Sequence, residues 1–156
     1  MNEDRPSRFP WPPIVFVVAI MVSVVLNVFW PLPWIGRPLS DFLFAIGLVL
    51  AVVSIVLVIA AIQTLRRANT TFEAHKRADH LVTRGPFSFS RNPIYLSNTA
   101  MMIGLGFIFS IGWFVVVGLV AAWITQKLAI EPEEAHLEAR FGKAFRDYKK
   151  QVRRWF

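Results

Sequence analysis

IYLSNTAMMIGLGFIFSIGWFVVVGLVAAWIT, residues 94–125, is a run of 32 residues without one charged side chain. As a single straight helix it would measure about 48 Å at 1.5 Å per residue, well beyond a hydrocarbon core of about 30 Å. As a hairpin bent near Ser110 to Gly112, where serine and glycine punctuate it, it gives two arms of about 21 Å each. Charge placement chooses between them. Arg5 and Arg8 precede the first apolar run, and only Arg37 lies in the 31–41 loop. Six basic residues (Arg66, Arg67, Lys76, Arg77, Arg84, Arg91) occupy 66–92, and eight more follow from Lys127 onward. A hairpin places 16 of the 17 on one side of a membrane, as the positive-inside preference asks; a single span would send eight across. The hairpin is therefore expected, as a shallow and partly submerged pair.

Two plainer apolar runs lie upstream. Residues 14–30 are interrupted only by Ser23 and Asn27, and residues 42–62 only by Ser54. Each is long enough to cross, and Trp11, Trp30 and Trp34 flank the first as interfacial anchors do. Acidic Glu3 and Asp4, and the lack of a small-residue cleavage site, favour a retained span over a cleaved leader. Composition agrees. Of 156 residues, 55% are apolar and 17% charged, against about 25% charge in soluble domains, and the mean hydropathy is +0.49. The net charge of +7 suits topology and anionic lipid headgroups better than nucleic acid. With no cysteine, disulfides, thiolate metal sites and a Cys nucleophile are excluded, and the histidines show no ligand spacing for a metal. The expected fold is all-α integral membrane: about four membrane helices, the last two a short hairpin, in a single domain over 1–156. The loop 66–92 and both termini are expected on the cytoplasmic side of an inner or plasma membrane.

A C-terminal amphipathic helix is expected over 132–152. Pro132 suits a first helical position, and Glu131, Glu133 and Glu134 suit the positive end of a helix dipole. Leu137, Phe141, Phe145, Tyr148 and Val152 then recur at spacings of three and four, one apolar stripe opposite Arg140, Lys143, Arg146, Lys149 and Lys150. Such a helix lies along the membrane surface or packs over the span ends. Glu134 points along the stripe, and a carboxylate on a packed face needs a cationic partner: Arg91 or a positively charged ligand.

Everything polar enough for chemistry falls in DHLVTRGPFSFSRNPIY (79–95) and the start of this helix. Gly85-Pro86 reads as a turn; Asn92-Pro93 reads as an N-cap and first helical position, leaving Arg91 and free backbone N–H groups at a helix start, where an anion is welcome. A turn, a cap and an arginine on lipid phosphate would account for the same residues without any activity.

LVTRGPFSFSRNPIY followed, after an apolar hairpin, by EEAHLEARFGKAFRDYKKQVRRW resembles the isoprenylcysteine carboxyl methyltransferase and phospholipid methyltransferase family. There an L-V-T-x-G-P-[YF] turn leads into R-[HN]-P-x-Y, and an E-E-x-x-L-x-x-x-F-G helix closes the chain. The resemblance covers roughly 70–155. It implies a membrane methyltransferase that uses S-adenosylmethionine, held by His80, Leu81, Val82, Phe87, Asn92, Pro93, Ile94, Tyr95 and Glu133. Arg91 and Glu134 would be catalytic, orienting the acceptor or taking its proton. The implied acceptor is a lipophilic small molecule or lipidated group among membrane lipids: an isoprenylcysteine-type carboxylate, a phospholipid amine or similar. Three positions depart from the family pattern. Phe87 loses a tyrosine hydroxyl, Asn92 cannot act as a base, and Ala129 replaces the arginine that meets a prenylcysteine carboxylate, leaving Lys127 as the nearest cation. Two other classes fit the spans: a non-catalytic protein of the same fold serving as an assembly or regulatory partner, and a membrane reductase binding a reduced dinucleotide.

Overall fold

The computed structural model describes residues 11–68 and 81–156. It is helical without strands among the described residues: α1 (Trp11–Phe29), α2 (Leu39–Arg67), a 3-10 turn (Gly85–Ser88), α3 (Pro93–Phe109), α4 (Gly112–Thr125), a π turn (Gln126–Ile130), α5 (Glu131–Phe141) and α6 (Lys143–Gln151). Three helical paths are long and apolar enough to cross a membrane, namely Pro12–Phe29, Leu39–Arg67 and Gly112–Phe141; α3 is a shorter apolar helix. The protein is thus an all-α membrane fold, as the apolar runs imply.

The distribution of side chains is that of a bundle in lipid. Val17, Val25, Val49, Val52 and Val56 stay more than half exposed on its outside, whereas Ser23, Ser54 and Ser97 are buried within it. Lipid tails are as apolar as valine, so helices associate through close backbone approach and small buried side chains rather than by hiding grease. Ser23 Oγ donates to the Ala19 carbonyl at 2.7 Å and lies 3.4 Å from the Trp113 carbonyl, across the α1–α4 contact. Phe16, Ala19, Met102, Phe114 and Ala121 form the apolar centre.

α2 packs along α3, and two glycines set the spacing. A Cβ on Gly104 would stand 3.0 Å from the Gly47 carbonyl oxygen and 3.3 Å from the Ala51 nitrogen; one on Gly47 would stand 2.8 Å from the Gly104 oxygen. Backbone atoms cannot swing aside. Gly104→Val is therefore expected to destabilise the protein by about 1–3 kcal/mol or more through overpacking, read as a lower thermal midpoint in detergent. Gly36→Ala, with nothing within 4 Å of the new methyl, should leave the midpoint unchanged.

The hairpin turns where expected. Ser110 takes a left-handed conformation (φ 58°, ψ 35°) at the end of α3, and the Ile111 amide donates to the Gly106 carbonyl at 2.9 Å. At this end Gly112 abuts Leu32, and Trp113 Nε1 donates to the Trp30 carbonyl. The arms are unequal: α3 has 17 residues, about 26 Å, while α4 runs on without a break.

That continuity corrects the reading of Pro132. Gln126, Ile130 and Glu131 all hold right-handed helical dihedrals, so α4 passes through the π turn into α5 and no free helix start exists there. A proline inside a helix has no N–H for the carbonyl four residues back and its ring crowds that carbonyl; widening the preceding turn relieves both. The three glutamates consequently do not sit on a dipole's positive end. The stretch 132–152, read as one helix, is two: Gly142 (φ +52°, ψ −117°) ends α5 and starts α6. Both halves of the stripe still face inward, with Phe145, Tyr148 and Val152 buried against Leu81, Leu137 and Phe141.

Candidate functional site

At the end of the bundle opposite the hairpin turn, the segment 81–92 meets α5, α6 and the last residues of the chain. Tyr148, buried by the stripe, donates its hydroxyl to the Phe87 carbonyl at 2.6 Å, and burial pushes that phenol up to about 12. The 3-10 turn is held against α2: Gly85 (φ +60°) lies so near Thr64 that a Cβ would stand 3.0 Å from its hydroxyl. Leu81 and Val82 line a cavity of about 680 Å³ with Thr64, Arg67, Ala68, Thr83, Arg84 and Gly85, a volume suited to a small ligand. Its lining does not include Tyr95 or Glu133.

The two motif blocks converge. Arg91 Nη2 lies 3.0 Å from Glu134 Oε1, with both side chains about nine-tenths buried. The Tyr95 hydroxyl donates to Glu133 Oε1 at 2.9 Å. The cationic partner that Glu134 requires is thus Arg91, and a second one went unforeseen. Arg154 donates from Nε and Nη2 to both Glu134 oxygens, at 3.2 and 2.8 Å. This fork-to-fork contact fixes orientation as well as charge, and it holds the Arg154 guanidinium above its ordinary value.

Asn92 flanks α3 but does not cap it with its side chain. Its Nδ2 instead donates to the Arg154 carbonyl at 3.0 Å, so the expected cap is corrected to a long-range tether. Pro93 is buried as the first residue of α3, with Ile94 half-buried after it, and Phe87 is likewise half-buried. His80 lies outside the described residues. At the departure from the family pattern, Ala129 is buried in the π turn, with no charge to offer. Lys127 is half-exposed and bonded to both Glu131 oxygens, at 2.9 and 3.2 Å.

Glu133 differs from its neighbours. Among the described residues it has no ion pair, only the Tyr95 bond. It stands on α5, half-buried beside Glu134. Arg91 Nε is also unmet, being buried without a hydrogen-bond partner among the described residues. Both groups flank Glu134, Glu133 as its neighbour in the chain and Arg91 as its ion-pair partner, and an unmet acceptor and an unmet donor together suit a ligand with both charges.

The sequence profile of the phospholipid methyltransferase family matches residues 42–144. An alignment 88 positions long, covering 51% of this chain, is 34% identical to the protein-S-isoprenylcysteine O-methyltransferase of Dictyostelium discoideum and covers 34% of that protein. The chain thus spans about a third of the length of the curated relative it matches. No solved structure matches.

Proposed function

Because the chain belongs to the phospholipid methyltransferase family, we propose that it is a membrane methyltransferase that moves a methyl group from S-adenosylmethionine to a lipophilic acceptor. The observation that carries this reading is that, among the described residues, Glu133 has no cationic partner and Arg91 Nε has no acceptor. S-adenosylmethionine carries an ammonium, a sulfonium and a carboxylate, and the residues fit all three. Glu133, held by Tyr95, offsets positive charge; Arg91 Nε takes the carboxylate; the rings of Phe87 and Tyr95 suit the face of an onium or a base. Leu81 and Val82 line the cavity against α2.

When bound, the donor supplies a methyl carbon whose bond to sulfur breaks as its bond to the acceptor oxygen or nitrogen forms, the electron pair leaving with sulfur. The protein's part is to hold the two reactants in line and exclude water. Arg91 and Glu134, bonded to each other, orient the site in this reading. With Ala129 in the family's arginine position, no side chain there meets a prenylcysteine carboxylate, which favours a phospholipid amine or a comparable acceptor. The protein is multi-pass in this reading, with both termini and the site at the cytoplasmic face.

The test incubates the purified protein with methyl-labelled S-adenosylmethionine and total membrane lipids. Label in a lipid product is expected, stable to base for an amine and base-labile for an ester. No transfer, with or without donor binding, would favour the non-catalytic alternative.

A further inference from the structure

The last residues of the chain, outside the segment 42–144 that the family profile matches, form a strap across the site. α6 ends at Gln151, and Val152 turns the backbone extended (φ −123°, ψ 129°). The strap then runs beside residues 90–92. The Arg91 amide donates to the Arg153 carbonyl at 3.0 Å, and Ser90 Oγ and Asn92 Nδ2 reach the Arg154 carbonyl at 3.4 and 3.0 Å. Trp155 Nε1 donates to Gln126 Oε1 at 2.9 Å, tying the strap to the π turn. Between these anchors the Arg154 guanidinium grips Glu134 with two hydrogen bonds and lies 3.5 Å from Glu131.

We infer that Arg154 is a positioning residue for the methyl donor: by clamping Glu134 to the strap, it fixes the rotation of α5 and so aims Glu133. Successive residues on a helix project about 100° apart, so setting the azimuth of Glu134 sets that of Glu133. Arg91 reaches Glu134 through one nitrogen, which leaves the carboxylate free to pivot; a two-bond guanidinium contact does not. The place such a clamp must control is the π turn Gln126–Ile130, whose widened geometry sets the rotation of α5 relative to α4 immediately before Glu133. α6 itself is anchored independently, by the buried Phe145, Tyr148 and Val152 and by the Tyr148–Phe87 bond. Loss of Arg154 therefore loosens α5 without freeing α6.

This inference rests on the reading of Glu133 as donor ligand, and one experiment separates the two. S-adenosylmethionine affinity is measured by calorimetry on the full chain in detergent micelles for the unaltered protein, Arg154→Lys, Arg154→Gln, Glu133→Gln and Glu133→Gln/Arg154→Lys, with thermal midpoints in parallel. Arg154→Lys keeps the charge and loses the fork, and it should weaken binding about fivefold to tenfold, the worth of roughly one hydrogen bond. In the Glu133→Gln background the same change should have no further effect, because a residue acting through Glu133 is not additive with it. Should Arg154→Gln fail to fold, Arg154→Lys carries the test. Equal affinity in Arg154→Lys and the unaltered protein overturns the inference while leaving the function standing. So does a loss that persists undiminished in the Glu133→Gln background, or one that disappears wherever the variant is fully folded. No binding by the unaltered protein overturns the function itself.

Discussion

Glu134→Ala is expected to cost about 3–5 kcal/mol of stability, the penalty for removing one partner of a buried ion pair. Arg91 is the reason. Its side chain is only 10% exposed, its Nη2 is bonded to Glu134, and its Nε already has no partner. Without the carboxylate, a guanidinium would remain buried with almost nothing to offset its lost hydration. Arg154, at 32% exposure, can turn to water and contributes less to the loss. Thermal or denaturant unfolding in detergent measures the effect. Arg91→Met/Glu134→Met, which removes both charges, should recover much of the stability and yet bind donor poorly, since it discards both the clamp and the free Nε. By contrast Glu131→Ala, on a partly exposed carboxylate bonded to a half-exposed lysine, should leave stability within error because solvent screens the pair. A Glu134→Ala loss no larger than that of Glu131→Ala would mean that water already reaches the Arg91–Glu134 pair.

Glu133→Gln is expected to leave the fold intact and weaken S-adenosylmethionine binding about tenfold to a hundredfold. Glutamine keeps an acceptor for the Tyr95 hydroxyl but cannot offset a cation, and a hydrogen bond to a charged group contributes about 1.5–3 kcal/mol. A thermal midpoint equal to that of the unaltered protein distinguishes this from a packing defect. A variant that binds as tightly as the original would remove Glu133 from the donor site.

Much of this arrangement is legible in the residues alone. The apolar runs, their uneven flanking charge and the Ser110–Gly112 interruption specify spans and a hairpin, because burial of a helix in lipid depends on composition over some twenty consecutive residues. The stripe from Leu137 to Val152 survives a break at Gly142 because each half keeps its own helical spacing. The need of Glu134 for a cation is also local: a carboxylate on an inward face has few other solutions.

Other features have no local signature. Pro132 reads equally as the first residue of a new helix or as an insertion tolerated by a widened turn, and the path of α4 into α5 selects the second. Asn92 has the chemistry of a cap, but its amide goes to a carbonyl 62 positions away. Arg154 sits in a basic tail where every arginine looks alike, and only the return of the strap sets it on Glu134, 20 positions back along the chain. Sequence by itself determined which segments are helical, which end of the bundle is basic and which residue types could serve a cationic donor. The tertiary structure decided which carboxylate is neutralised and which has no cationic partner among the described residues, because ion pairing depends on distances between segments, and periodicity describes only neighbours within a turn or two.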